Sequence, residues 1–239
     1  MIYIEKWPII LQFEALAAAK AADVVVLGLG IVQKIESESH DRTEVDLPTI
    51  QHELAAAIFA LHKPTAIFLL HGGMVGLSAE MESAAAIVDM GYPGFQGGHA
   101  LASVLFGDYN PGGKLPYTLY DADYVTKSEH TTNQRILSAS LPLCLSASLT
   151  HAWLHDTVSM EDMDFSTAPG RSYKFYTGKP VLPFGWGLSY TTFKISPPAD
   201  QFEHAEFGVS ESAWSQEYAV TVTNTGSVAG DEVVQVRHS

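Results

Sequence analysis

Two short apolar runs that each end in glycine constrain this chain most: Asp23-Val-Val-Val-Leu-Gly-Leu-Gly30, and Thr65-Ala-Ile-Phe-Leu-Leu-His71 stopped by Gly72-Gly73. Neither alternates polar with apolar, as a strand with one wet face would, so both read as strands buried on two sides. Between them Ile50, Leu54, Ile58 and Leu61 recur at helical spacing, with Pro48 where a helix would begin and Pro64 after its end. An Ala-rich, helix-prone stretch, Phe13 to Ala22, precedes the first run. A third apolar stretch, Ala84 to Val88, leads into Gly91-Tyr-Pro-Gly94. A helical pattern from about His99 to Phe106, the turn Gly107 to Gly113 and a strand Lys114 to Tyr120 complete this half. The alternation predicts an α/β fold: a mainly parallel sheet with helices on both faces.

The last forty or so residues differ in kind. In Glu217 to Asn224, Tyr218, Val220 and Val222 point one way and Ala219, Thr221 and Thr223 the other. A loop, Thr225 to Asp231, then leads into a return strand from Glu232 to Arg237. Two strands cannot bury a core, so this reads as a partial β-sandwich. With Ser196-Pro-Pro-Ala-Asp200 as linker, the chain divides into residues 1–195 and 201–239.

Charge narrows the partners. Thirteen Lys and Arg against 27 Asp and Glu give a net charge of −14, a field that repels nucleic acid and anionic membrane and favours a neutral ligand such as a sugar. No apolar run approaches the roughly 18–20 residues that span a bilayer. The opening Met1 to Glu14 does not read as a signal peptide, because Glu5 offsets Lys6 and Gln12 and Glu14 interrupt the apolar stretch. The sole cysteine, Cys144, leaves no disulfide within the chain.

The chemistry-bearing residues gather in one polar loop, from about Gln33 to Asp46, which carries Lys34, Glu36, Glu38, Asp41, Arg42, Glu44 and Asp46. Asp41 and Arg42 are expected to pair and shape it. Elsewhere the signals are weak. Gly28-Leu-Gly30 lacks the third glycine of a dinucleotide fingerprint, since Gln33 stands there. His151 and His155 are four apart with no third ligand, so neither a metal nor an organic cofactor is expected.

Four blocks, in order, resemble family 3 glycoside hydrolases of the β-xylosidase/β-glucosidase kind. They are Ala22 to Ile31 with Glu36-Ser-Glu-Ser-His-Asp-Arg42 and Leu47-Pro48; Gly91 to Gly98 with Val104 to Pro116; Pro169 to Gly178 with Pro183 to Phe193; and Val220 to Gly226 with Ala229 to Gln235. The block Arg171-Ser-Tyr-Lys-Phe-Tyr-Thr-Gly178 looks closest to the β-xylosidase branch. The resemblance implies that residues 1–195 are the later part of the family's second, α/β sandwich domain, without its first strands, and that 201–239 open a fibronectin-type-III-like domain. It also implies that the N-terminal barrel, which holds the aspartate nucleophile, lies in a parent protein outside this chain. Residues 128–157 have no counterpart in the family pattern and read as an insertion, translated intron being the first reading and a genuine surface insertion the alternative.

The resemblance implies a retaining, exo-acting hydrolysis of terminal β-linked xylose or glucose from oligosaccharides, in an extracellular parent. Such chemistry needs two carboxyls about 5–5.5 Å apart, one to attack the anomeric carbon and one to protonate the leaving oxygen. The family's acid/base glutamate stands in a context resembling Glu-Gly-x-Asp-Arg, which falls here on Glu38-Ser-His-Asp-Arg42. Glu38 is therefore the acid/base candidate, with Glu36 as the fallback, and Ser39 stands where glycine is usual. With one carboxyl of the pair, the chain alone is expected not to turn over glycosides. The rival expectation is a non-catalytic carbohydrate-binding or interaction module.

Overall fold

A computed structural model describes residues 9–42, 44–121, 124, 162–168, 170–196 and 219–235. The expected insertion 128–157, with Cys144, His151 and His155, and linker residues 197–200 lie outside the described residues. The chain divides into two compact units, one formed by Met1–Leu101 with Leu115–Phe184 and the other by Ala102–Lys114 with Gly185–Ser239.

In the first unit, α1 (Ile9–Ala21), β1 (Val25–Gly30), α2 (Thr49–Phe59), β2 (Thr65–Leu70), α3 (Ser78–Ser83) and β3 (Ala86–Asp89) follow one another, and α4 (Gly97–Leu105) comes next in the chain. The three strands form a parallel sheet in sequential order, β1-β2-β3. Val25 pairs with Thr65 through to Gly30 with Leu70, and Ala66 with Ala86 through to Leu69 with Asp89. Parallel neighbours need a crossover, and α2 supplies the first. Pro48 caps α2, as its position before the apolar-periodic residues predicts, and its carbonyl accepts from the Gln51 amide at 2.8 Å. The helix ends at Phe59, with Ala60 as its C-cap, and His62, with φ of 54°, turns the chain toward Pro64.

One face of the sheet carries the core; β1, expected to be buried on both sides, leaves Val26 of the other face 50% exposed. Val25, Leu27 and Leu29 of β1 join Ile67 and Leu69 of β2, Ala19 of α1, Ala55 and Ile58 of α2, and Ile31, Leu47, Val75 and Leu77 from the loops. Each fully buried aliphatic side chain contributes roughly 1.5–3 kcal/mol relative to exposure. Lys63 ties α1 to the start of β2 by donating its ammonium to the carbonyls of Lys20 and Ala22, where a helix C-terminus favours a cation. Among the described residues no helix is long and apolar enough to cross a membrane.

Two expected strands take other forms. Lys114 to Tyr120 yields only an isolated antiparallel bridge, Leu119 with Leu182, closed by the Leu119 amide on the Leu182 carbonyl at 2.9 Å. Pro116, which lacks an N–H, interrupts any longer ladder. In the second unit β5 (Thr221–Asn224) pairs antiparallel with β4 (Phe193–Ser196), not with the segment after Asp231. Every residue of β5 is exposed, so its alternation marks a ribbon rather than a half-buried face. Asn224 holds the ribbon's end, accepting from Thr191 Oγ1 at 2.8 Å and donating to the Val228 carbonyl at 2.8 Å. A further described element of the first unit is a single turn, α5 (Ser172–Phe175), whose first amide donates to the Tyr120 hydroxyl at 2.7 Å.

The candidate active-site rim

Because β1, β2 and β3 are parallel, the loops that leave their carboxyl ends share one rim. These are the polar loop after β1, the turn His71 to Met74 after β2, and Met90 to Gly94 after β3. In open α/β sheets this rim is where ligands bind. The sheet opens at Gly30, which has φ of 151° and leaves no room for a side chain, since an added Cβ would lie 2.0 Å from the Leu70 carbonyl oxygen. The Gln51 carboxamide then accepts from the Gly30 amide at 2.9 Å and donates to its carbonyl at 2.8 Å.

The polar loop is fastened to the turn after β2. Arg42 donates through Nε to Glu36 Oε2 and through Nη2 to the Met74 carbonyl at 2.7 Å. Glu36 uses its other oxygen, Oε1, to accept from the Gly73 amide at 2.8 Å. A Cβ on Gly73 would fall 2.4 Å from that oxygen, so the contact requires glycine. Arg42 thus pairs with Glu36 and not with Asp41, as adjacency had suggested: the guanidinium turns inward, leaving 10% of its side chain exposed, while Asp41 faces solvent.

Glu38 stands at the tip of a tight turn closed by Ser37 and His40, whose amides each donate to the other's carbonyl, at 3.1 and 2.9 Å. Its side chain is exposed, and among the described residues it has no hydrogen-bond partner. Ser39 follows with φ of 62°, the left-handed conformation that glycine adopts without penalty. The two carboxylates therefore differ. Glu36 has both oxygens engaged, and Glu38 meets no hydrogen-bond partner among the described residues.

Behind the turn lies a cluster that sequence reasoning missed. His71 is 2% exposed. Its Nδ1 is 2.8 Å from the Gly73 carbonyl and its Nε2 3.0 Å from Asp89 Oδ1. The Tyr117 hydroxyl donates to Asp89 Oδ2, and its ring meets the imidazole edge-on at 5.8 Å. Burial opposes charge on His71, but the Asp89 and Gly73 contacts outweigh it and raise the imidazole above its ordinary value. Burial likewise opposes charge on Asp89, yet the bonds from His71 and Tyr117 hold its carboxyl below the usual range. Burial first, then the Asp89 carboxylate, push the Tyr117 phenol up. The only sequence signal was a histidine ending an apolar run, which reads equally well as a strand terminus. Among the described residues no cluster of His, Cys, Asp or Glu has the makings of a metal site.

A model of the glycosyl hydrolase family 3 C-terminal domain matches residues 11–190, which covers both the sheet and its rim. The chain belongs to that family. It is 40% identical over 183 residues to Beta-D-xylosidase 1 of Arabidopsis thaliana, an alignment that takes in 75% of this chain and 20% of that protein. Among solved structures, a family 3 exo-β-xylosidase, XlnD, seen with a xylobiose aziridine probe, matches with a TM-score of 0.62 and 31% identity, covering 90% of this chain and 26% of that one. A family 3 β-glucosidase of Bifidobacterium adolescentis matches with a TM-score of 0.59 and 29% identity, covering 82% of this chain and 26% of that one. The curated relatives are exo-β-xylosidases and β-xylosidases, and this chain spans about a fifth to a quarter of their length.

Proposed function

We propose that this chain supplies the acid/base side of a retaining exo-glycosidase that releases terminal β-linked xylose from oligosaccharides, with Glu38 as the acid/base and the nucleophile in a barrel of the same parent outside this chain. The observation that carries the assignment is the division of labour between the two carboxylates. A general acid must present a proton to the leaving oxygen and later accept one from water, so at least one oxygen has to be free. Glu36 is taken up by Arg42 and Gly73, whereas Glu38 projects from the turn with no partner among the described residues. Xylose ranks before glucose because the curated relatives are xylosidases, while a β-glucosidase among the structural matches keeps the second sugar in view. No metal or organic cofactor enters the scheme, and an extracellular setting follows from the family resemblance. Residues 219–235 fit the opening of a fibronectin-type-III-like domain in that parent.

The test is Glu38→Ala in the enzyme that contains this chain. Hydrolysis of substrates with poor leaving groups should fall far more than that of activated aryl glycosides, and azide should restore part of the rate by attacking the glycosyl-enzyme without base assistance. The same pattern from Glu36→Ala, with Glu38→Ala silent, would move the role two residues back. If the chain is instead a non-catalytic carbohydrate-binding module, glycan binding will persist while no parent preparation shows hydrolysis that depends on either glutamate.

A further inference from the structure

His71 faces two acceptors. A neutral imidazole carries one N–H, so the contacts to the Gly73 carbonyl and to Asp89 Oδ1 are both hydrogen bonds only when the ring is doubly protonated. At 2% exposure there is no bulk water to replace a missing donor. The charged and titratable groups that face the ring are Asp89 from β3, Tyr117 from the segment after Lys114, and Arg42 from the polar loop.

What the ring holds is the turn to which the polar loop is fastened. Gly73 is gripped from two sides, its carbonyl by His71 and its amide by Glu36. One residue on, the Met74 carbonyl accepts from Arg42, which also holds Glu36. A continuous run of polar contacts thus leads from Tyr117 and Asp89 through His71 and Gly73 to Glu36 and Arg42, the two residues that flank the Glu38 turn.

We propose that His71 is a positioning residue for the Glu36–Arg42 loop: by clamping Gly73 against Asp89 it sets where the Glu38 turn stands. His71 supplies no atom to the substrate. The clamp has an alkaline limit, because loss of one ring proton leaves either the Gly73 carbonyl or the Asp89 carboxylate facing a nitrogen lone pair. Burial opposes the charge, and the bond and charge of Asp89 together with the Gly73 carbonyl more than restore it, so the clamp persists above the ordinary histidine range before it opens. The clamp stands on geometry alone, and only its catalytic consequence rests on the reading of Glu38.

The test uses the full chain, labelled with 15N, and the parent enzyme. As pH rises, the His71 ring nitrogens should lose a proton with a midpoint above about 6.5, and the Gly73 amide and Arg42 Nε–H signals should move with the same midpoint. His71→Ala should speed hydrogen exchange at the Gly73 amide. In the parent it should lower kcat on poor-leaving-group substrates on the order of 10- to 100-fold with little change in KM, since a displaced catalytic group costs about that much. His71→Asn keeps a donor for the Gly73 carbonyl and cannot titrate, so it should recover most of the exchange protection and abolish the alkaline transition. The idea is overturned if His71→Ala still melts cooperatively with the Gly73 and Arg42 signals unmoved. It is equally overturned if His71→Asn keeps the alkaline transition of those signals. Azide rescue of Glu38→Ala is independent of these readouts, so either conclusion can fail without the other.

Discussion

His52 lies with Nδ1 2.6 Å from Oε1 of Glu80, joining the first turn of α2 to the first turn of α3. Its Nε2 is 2.8 Å from Asp46 Oδ1, so the ring, like that of His71, sits between two acceptors. Glu80 is 2% exposed, and among the described residues no partner reaches its Oε2. Burial pulls the His52 imidazole down, but the bonds and charges of Glu80 and Asp46 pull it up further, so its net shift is upward. A histidine raised in the folded state lends stability that is fully present below its unfolded value, about 6.5, and is lost as pH climbs through the folded one. The melting temperature should therefore fall as pH rises through that window. His52→Ala should flatten this part of the profile and cost on the order of 3 kcal/mol at pH 6, because it strands a buried carboxylate. A pH series of thermal melts reads both effects.

Arg42→Lys should destabilise the rim although it preserves the charge. A lysine ammonium is a single point and cannot hold Glu36 and the Met74 carbonyl through separate nitrogens of a planar fork. The expected loss is about 1–2 kcal/mol. Urea denaturation at constant slope would report it as a lower midpoint. An unchanged midpoint would show that the fork is dispensable to the fold.

Ser39→Gly should act in the opposite direction. At φ of 62° a serine bears the left-handed penalty of an L-residue, roughly 1 kcal/mol, and glycine removes it. Part of the gain is offset by glycine's freedom in the unfolded chain. Ser39→Val, branched at Cβ, should cost more than serine does. Ordered midpoints, Gly above Ser above Val, would confirm that strain rather than a side-chain contact governs this position.

Ile67→Ala tests the packing beneath the rim. Ile67 is 1% exposed at the centre of the core face, and removing its branches leaves a cavity that neighbours on two strands and two helices can only partly close. A cost of about 3–4 kcal/mol is expected from the fall in denaturation midpoint.

The sheet was legible because its signal is local. The glycine-stopped runs before His71 and after Asp23 have no other economical reading, and Pro48 immediately precedes α2 while Pro64 follows its last residue by five. α3 was not legible, since six residues hold too little periodicity to register. The partner of β5 was hidden for a different reason: β4 lies before the linker, and pairing across that distance leaves no mark in either segment alone. In the rim, motif resemblance put Glu38 first and Glu36 as the fallback. What it could not show is that Glu36 is taken up by a backbone amide 37 residues away. His71, Asp89 and Tyr117 come from three segments and share no spacing, so no pattern in the chain could assemble them.

The Gln51 carboxamide on Gly30 carries a consequence for how molecules of this protein meet one another. At the end of β1 the Gly30 N–H and C=O point away from β2, and Gln51 satisfies both as a neighbouring peptide would. An incoming strand that tried to extend the sheet there would first have to displace two hydrogen bonds made by a side chain of the same molecule. Unpaired strand edges recruit other chains, and a side-chain amide that imitates a backbone closes this end of β1 to such recruitment while leaving the adjoining loop at liberty to vary.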